Sequence, residues 1–205
     1  MIIRIAFALA LVSGLVAARP FYGWTQFFSA KYKYAAYYPP GWHLLQPTGD
    51  SLTAINFPDS QRVTGAVIPE QGAYIDAGPV SASITTVNDA VMQALAHADG
   101  APILEQTLLT SDPGTNGCPT LHQLEYYENF GSSTKPVLEH WTSYFCSVHG
   151  RIFAVDLGYW RGNKDAALLE GLARTVANTL QIYPLKVSSG GQPAPPKARA
   201  RTRPR

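Results

Sequence analysis

The spacing of apolar and polar positions changes several times along the chain, and each change predicts an element. Residues 120–128 (TLHQLEYYE) and 137–148 (VLEHWTSYFCSV) are rich in aromatic and β-branched side chains. With the loop-forming NFGSSTKP between them, they predict an antiparallel hairpin. A tight turn at His149–Gly150 then leads into a partner strand, RIFAVDLGYW. Nearer the start, the aromatic stretch RPFYGWTQFFSAKYKYAAYYPP predicts one strand ending at Pro39, and WHLLQ, SLTAINF, VSASITTV and ILEQTLLTS predict others. Residues 59–79 have a loop-like composition. Helical spacing occurs twice. Val91, Ala94, Leu95 and Ala98 form one stripe, with Asn88 as N-cap and Gly100 past its end; Leu169, Leu172, Val176 and Leu180 form another, with Asn163 as cap and Pro184 beyond. Two helices among about seven strands joined by short turns predict an α+β domain rather than βαβ units.

The segment YPPGW punctuates the first strands. Tyr38, preceding a proline, is pushed to an extended conformation, Pro40 suits the second position of a type II turn, and Gly41 supplies the positive φ of the third. Trp42 is then the first large side chain of the next strand. The segment is a fold corner and names no ligand.

At 205 residues, 46% apolar and 11% aromatic, the chain is long enough for one substantial core. Three segments are expected. Residues 1–18, MIIRIAFALALVSGLVAA, carry one early positive charge, an apolar run and small residues at the end, the pattern of a secretory signal peptide cleaved after Ala18. No cysteine follows the run, which rules out a lipoprotein, and the mature chain has no other apolar stretch that could span a membrane. Residues 19–186 form the folded domain. Residues 187–205 form a Pro- and Arg-rich tail with little to bury, expected to be disordered. The net charge of +2 hides an asymmetry: residues 21–186 hold nine Lys or Arg against fourteen acids, whereas Lys197, Arg199, Arg201, Arg203 and Arg205 stand without an acid. The globule is acidic, and these five residues are the candidates for contact with an anionic surface.

Two cysteines in an exported chain predict a disulfide. Centring the hairpin in its loop sets Cys118 opposite Cys146. The same register brings two pairs of candidate chemistry together. His122 and His140 become diagonal neighbours on one face, the start of a metal site that would need a further ligand. Glu125 falls opposite Glu139, and a close carboxylate pair serves acid–base chemistry when one pKa is raised. Each has a plainer account: histidines bonded to tyrosines, and two solvated carboxylates. Trp141, on the face of the glutamates, is assigned to the core. Nucleophile elbows, zinc-protease, redox, phosphate-loop, dinucleotide and EF-hand motifs are all absent.

An aromatic strand ending in YPPGW, then INF, a small helix, the hairpin EHWTSYFCSVHGRIFAVDLGY and a closing LLEGLARTVANTLQI resemble the PsbP-like superfamily over residues 27–184. That group includes the extrinsic photosystem II protein, a Ran-binding import factor and many exported bacterial proteins. The resemblance implies an α/β/α sandwich, with a twisted, mainly antiparallel sheet and a C-terminal helix packed on it, used for protein binding rather than catalysis. It transfers no functional residue. The expectation is therefore an exported, periplasmic or secreted, non-catalytic accessory protein without a cofactor. Its partner would be a protein or an envelope component, with weak anionic-surface contact through the tail and no specific nucleic acid. The competing expectation is an exported hydrolase or metal-dependent enzyme using Glu125/Glu139 or His122/His140.

Overall fold

The computed structural model describes residues 23–45, 50–58, 68–96, 103–115, 117–129 and 137–185. The expected signal peptide and the tail cations Lys197, Arg199, Arg201, Arg203 and Arg205 lie outside them. Strands β1 (Thr25–Ser29) and β2 (Tyr34–Tyr38) come first, followed by β3 (His43–Leu44), β4 (Leu52–Ile55), β5 (Ala73–Pro79) and helix α1 (Val87–Ala96). Then come β6 (Ile103–Thr115), β7 (Cys118–Asn129), β8 (Leu138–Val148), β9 (Arg151–Trp160), helix α2 (Ala166–Asn178) and β10 (Gln181–Ile182). They build a seven-stranded sheet in the order β3-β4-β5-β9-β8-β7-β6 and a three-stranded sheet in the order β1-β2-β10, with antiparallel pairing throughout.

The α+β class holds, and the two helices take opposite faces of the large sheet. Leu169, Ala173, Val176 and Ala177 of α2 pack with Phe153, Val155, Leu157 and Tyr159 of β9 and with Phe27, Tyr34 and Ala36 of the small sheet. On the other face Ala90 and Val91 of α1 pack on Leu124, Phe145, Ile152 and Ala154. Tyr34 joins the two sheets: its hydroxyl donates to Ala77 O at 2.5 Å and accepts from Leu52 N at 3.0 Å. A phenol buried with its polar end satisfied twice fixes one sheet against the other.

Five local expectations change. The aromatic N-terminal stretch is a hairpin rather than one strand; its turn uses Lys33 at φ 55, with Lys33 N donating to Ser29 O at 2.9 Å. VSASITTV is not a strand. After Val80 N bonds Ile152 O at 3.0 Å, Ser81 closes a turn through Ile84 N at 2.9 Å, and Thr86 caps α1 in place of Asn88. Thr86 Oγ1 accepts from Asp89 N at 3.1 Å, the side-chain bond of an N-cap, and donates to Asp89 Oδ2 at 2.6 Å. Residues 73–79, within the stretch taken as a loop, form the internal strand β5. Asn163 does not cap α2 but braces its approach, accepting from Asp165 N at 2.9 Å and donating to Gly72 O at 3.1 Å. The YPPGW corner forms as expected. Trp42 N donates to Pro39 O at 3.3 Å and Gly41 has φ 81.

Candidate functional site

The β7–β8 register decides which polar side chains meet. Cys118 and Cys146 are joined, with Cα atoms 5.7 Å apart. The ladder, however, sets His122 opposite Phe145, Glu125 opposite Thr142, Tyr127 opposite His140 and Glu128 opposite Glu139. Every pairing is three residues away from the expected one. The paired ladder ends at His122–Phe145, and carried further it would bring Leu121 opposite Cys146. Cys118 therefore reaches its partner from beyond the regular pairing, and the disulfide does not report the register. Side chains alternate between faces, so an odd shift regroups them. Neither the pair His122/His140 nor the pair Glu125/Glu139 forms. Glu125 and His140 lie on the α2 side of the sheet; His122 and Glu139 lie on the α1 side.

On the α2 side His140 is buried (3% exposed), and its Nδ1 shares a hydrogen bond of 2.5 Å with Tyr159 Oη. Tyr159 Oη lies 3.4 Å from Glu170 Oε1 of α2, and His140 Nε2 lies 3.9 Å from Glu125 Oε2. The Tyr127 ring stacks on His140 at 4.5 Å, and the Arg161 guanidinium sits 4.6 Å over Tyr127. Gln123 Nε2 donates to Glu125 Oε1. Burial lowers the His140 pKa; Glu125 and then Glu170 oppose that, and Arg161 adds to it. Burial raises the Tyr159 pKa, with Glu170 next. The result is a neutral imidazole held between a phenol and a half-exposed carboxylate. His140 Nε2 has no hydrogen-bond partner among the described residues, so the hydrogen-bonded chain runs from His140 Nδ1 through Tyr159 to Glu170 and stops short of Glu125.

On the α1 side acid faces acid. Glu139 is fully buried, and its Oε1 accepts from Ile68 N at 2.8 Å. Burial, with Glu128 adding, pushes its pKa up to about 7. Its Oε2 and the indole Nε1 atoms of Trp141 and Trp160 have no hydrogen-bond partner among the described residues. Farther along the sheet Asp76 of β5 stands opposite Asp156 of β9. Asp76 Oδ1 accepts from Thr53 Oγ1 at 2.7 Å. Burial pushes Asp156 up to about 7, against the Ser143 hydroxyl and helped by Asp76, and burial raises Asp76 as well. Trp141 lies over Gly158, where a Cβ would come within 2.7 Å of its ring; it stacks on Tyr126 at 6.5 Å and meets Tyr74 edge-on at 6.1 Å. It is half-buried and joins the two apolar clusters of this face. His122 is occupied by Ser111, whose Oγ lies 2.9 Å from its Nδ1.

Asp76, Asp156, Glu128 and Glu170 were not singled out in the sequence. Asp76 fell in a stretch without strand spacing, so nothing paired it with Asp156. Glu170 sits off the apolar stripe of α2, where a glutamate signals only a solvated face. Among the described residues no three His, Cys, Asp or Glu side chains are grouped to hold a metal ion.

No protein-family model matches the chain, and no curated protein matches it. Solved structures do. A crystallised protein from Bacteroides thetaiotaomicron is 18% identical at a TM-score of 0.44, covering 79% of this chain and 49% of its own, so the chain spans about half its length. The cyanobacterial PsbP of Synechocystis is 14% identical over 78% of this chain and 93% of its own, with a TM-score of 0.44. The Ran-binding protein Mog1p of Saccharomyces cerevisiae is 10% identical over 78% and 95%, with a TM-score of 0.45. No residue role or partner comes over from any of them.

Proposed function

We propose that the protein is an exported, non-catalytic accessory protein of a bacterial cell envelope that works by recognising a protein or envelope component with its surface. The observation that carries this reading is the Cys118–Cys146 disulfide, both cysteines fully buried in the main core. A disulfide built into the core fits an oxidising compartment, and so does the apolar leader of residues 1–18. No helix among the described residues is long and apolar enough to cross a membrane. The absence of catalysis is supported by the fate of the polar groups. His140 bonds Tyr159, which reaches Glu170, Glu125 is bonded by Gln123, Glu139 is bound by Ile68, and the pairs an acid–base or metal enzyme would have used are separated by the sheet. The globule's surplus of five acids supports a partner with basic groups, and the cations of residues 197–205 support an anionic contact.

Fractionation of cells producing the tagged chain tests the reading. The expected outcome is a chain cleaved after Ala18 in the envelope or secreted fraction, with a Cys118–Cys146 peptide in non-reduced mass spectra. An uncleaved cytoplasmic chain with both thiols free would overturn it.

A further inference from the structure

We infer that the end of the molecule built by the three-stranded sheet seats on the surface of an anionic lipid bilayer. Five large apolar side chains are exposed among the described residues, and three collect here: Phe28 (55% exposed), Tyr183 (42%) and Leu185 (50%). The other two, Met92 and Leu168, stand on separate helices. Phe28 lies on β1 and Tyr183 just past β10, and their rings meet edge-on at 6.3 Å. Leu185 follows two residues later. Single exposed apolar residues are ordinary, but a phenyl, a phenol and a leucine gathered at one end are the side chains that enter a headgroup layer.

The charges at this end are mainly cationic: Lys31 of the hairpin turn is paired with Asp50 at 2.7 Å, and Lys33 and Arg151 add two further cations. The exposed Lys33 closes the β1–β2 hairpin, and its carbonyl accepts from Tyr183 N at 2.8 Å. The Arg151 guanidinium donates to Tyr32 O and to Tyr183 O, the latter at 2.8 Å, which sets a cation beside the aromatic pair. From Leu185 the chain continues into residues 186–205, which hold Lys186, Lys197, Arg199, Arg201, Arg203 and Arg205 and no acid. Spaced cations alone are screened by salt, and three apolar side chains alone bind a bilayer weakly. The two together are the paired signal that holds a peripheral protein on a membrane. The rest of the globule is net acidic, so an anionic surface repels it and attracts this end. That separation of charge fits an extended surface better than a compact partner.

This inference rests on the envelope reading for its biological setting, yet it is tested without it. The chain beginning at Arg19, the form that export would leave, is sedimented with vesicles of phosphatidylcholine and with vesicles that also contain phosphatidylglycerol, at low and high salt. Binding to the anionic vesicles is expected, weakened by salt and about tenfold stronger than to the neutral ones. Phe28→Ser with Leu185→Ser is expected to lower it about tenfold at an unchanged melting temperature. Deleting residues 187–205 should reduce the dependence on salt and on lipid charge, leaving the smaller part carried by Lys33, Arg151 and Lys186. Equal binding to both vesicle types overturns the inference, as does absence of binding. So does full binding by the serine variant, or equally tight and equally serine-insensitive binding to duplex DNA, because either leaves only a polycation. Failure here leaves export untouched, whereas a cytoplasmic chain that still binds vesicles removes the setting and not the contact.

Discussion

The two faces of the seven-stranded sheet are built from alternate residues of the same strands, yet they treat buried charge in opposite ways. Toward α2 the polar groups are of mixed kinds. A neutral histidine meets a phenol, and carboxylates stand at the edge where they stay half wet. Toward α1 like meets like, Asp76 opposite Asp156 and Glu128 opposite Glu139. The difference separates two uses of a buried ionisable group. One is relieved in part by its neighbours, whereas the other is pushed toward its protonated form by burial, with the facing acid adding a smaller share. The faces should therefore respond to pH with opposite signs.

The largest expected effect comes from opening the α2 side at its rim, where Cys118 and Cys146 lie. Cys118→Ser with Cys146→Ser should lower stability by about 3–4 kcal/mol on the chain-entropy account of its 28-residue separation. A urea titration measures it, and a loss below about 1 kcal/mol would mean the ladder holds that edge unaided. Next in size is Asp156→Asn. Asp156 has its folded pKa raised to about 7, so the folded state binds its proton more tightly than the unfolded chain does. The stability it contributes is complete below its ordinary value near 3.8 and is lost as the pH rises to about 7. Asn stands in for the protonated acid at every pH. The variant should equal the parent at pH 4 and exceed it at pH 8 by on the order of 3 kcal/mol, less whatever Asp76 recovers. Parallel pH profiles for parent and variant would show that the α1 side is not under acid strain.

The elements of this comparison were largely legible, but their pairing was not. Local pattern found β7, β8, β9 and α2 because aromatic alternation and a helical stripe each need only a dozen residues to declare themselves. The register needed a long-range fact, and the cysteines misplaced it by three because Cys118 lies beyond the ladder. Glu125 and His140 were thus singled out for their chemistry and assigned the wrong neighbours. The small sheet escaped because the turn at Ala30–Lys33 has neither glycine nor proline, and Lys33 takes a positive φ that its identity does not advertise. β5 escaped because its Gly78 and Pro79, after Gln71 and Gly72, dilute the apolar alternation of Ala73, Ile75 and Ala77. With β5 unseen, Asp76 had no strand to share with Asp156.

A smaller effect tests the α2 side directly. Tyr159→Phe removes the hydroxyl bonded to His140 Nδ1 and leaves a buried ring nitrogen unpaired. A loss of about 1–2 kcal/mol at neutral pH is expected. An unchanged unfolding midpoint would show that the imidazole finds another partner.

The smallest effect in energy is the sharpest in sign. Glu125 lies 3.9 Å from His140 Nε2 with its side chain a third exposed, so Glu125→Gln should change stability at pH 8 by less than about 1 kcal/mol. Its consequence lies in the titration of the histidine. Burial holds the folded pKa of His140 below its ordinary 6.5, and Glu125 opposes that burial. A group whose folded pKa is depressed contributes stability that is present above its unfolded pKa and lost as the pH falls toward the folded value. Removing Glu125 lowers the folded value further, which widens the window of loss and makes the variant more acid-labile than the parent below pH 6.5. The imidazole resonances followed by NMR should titrate at lower pH in Glu125→Gln, while Asp156→Asn leaves them in place. A His140 pKa that stays put without Glu125, or moves with Asp156, would mean that the sheet does not insulate its two faces and that their charges form one network.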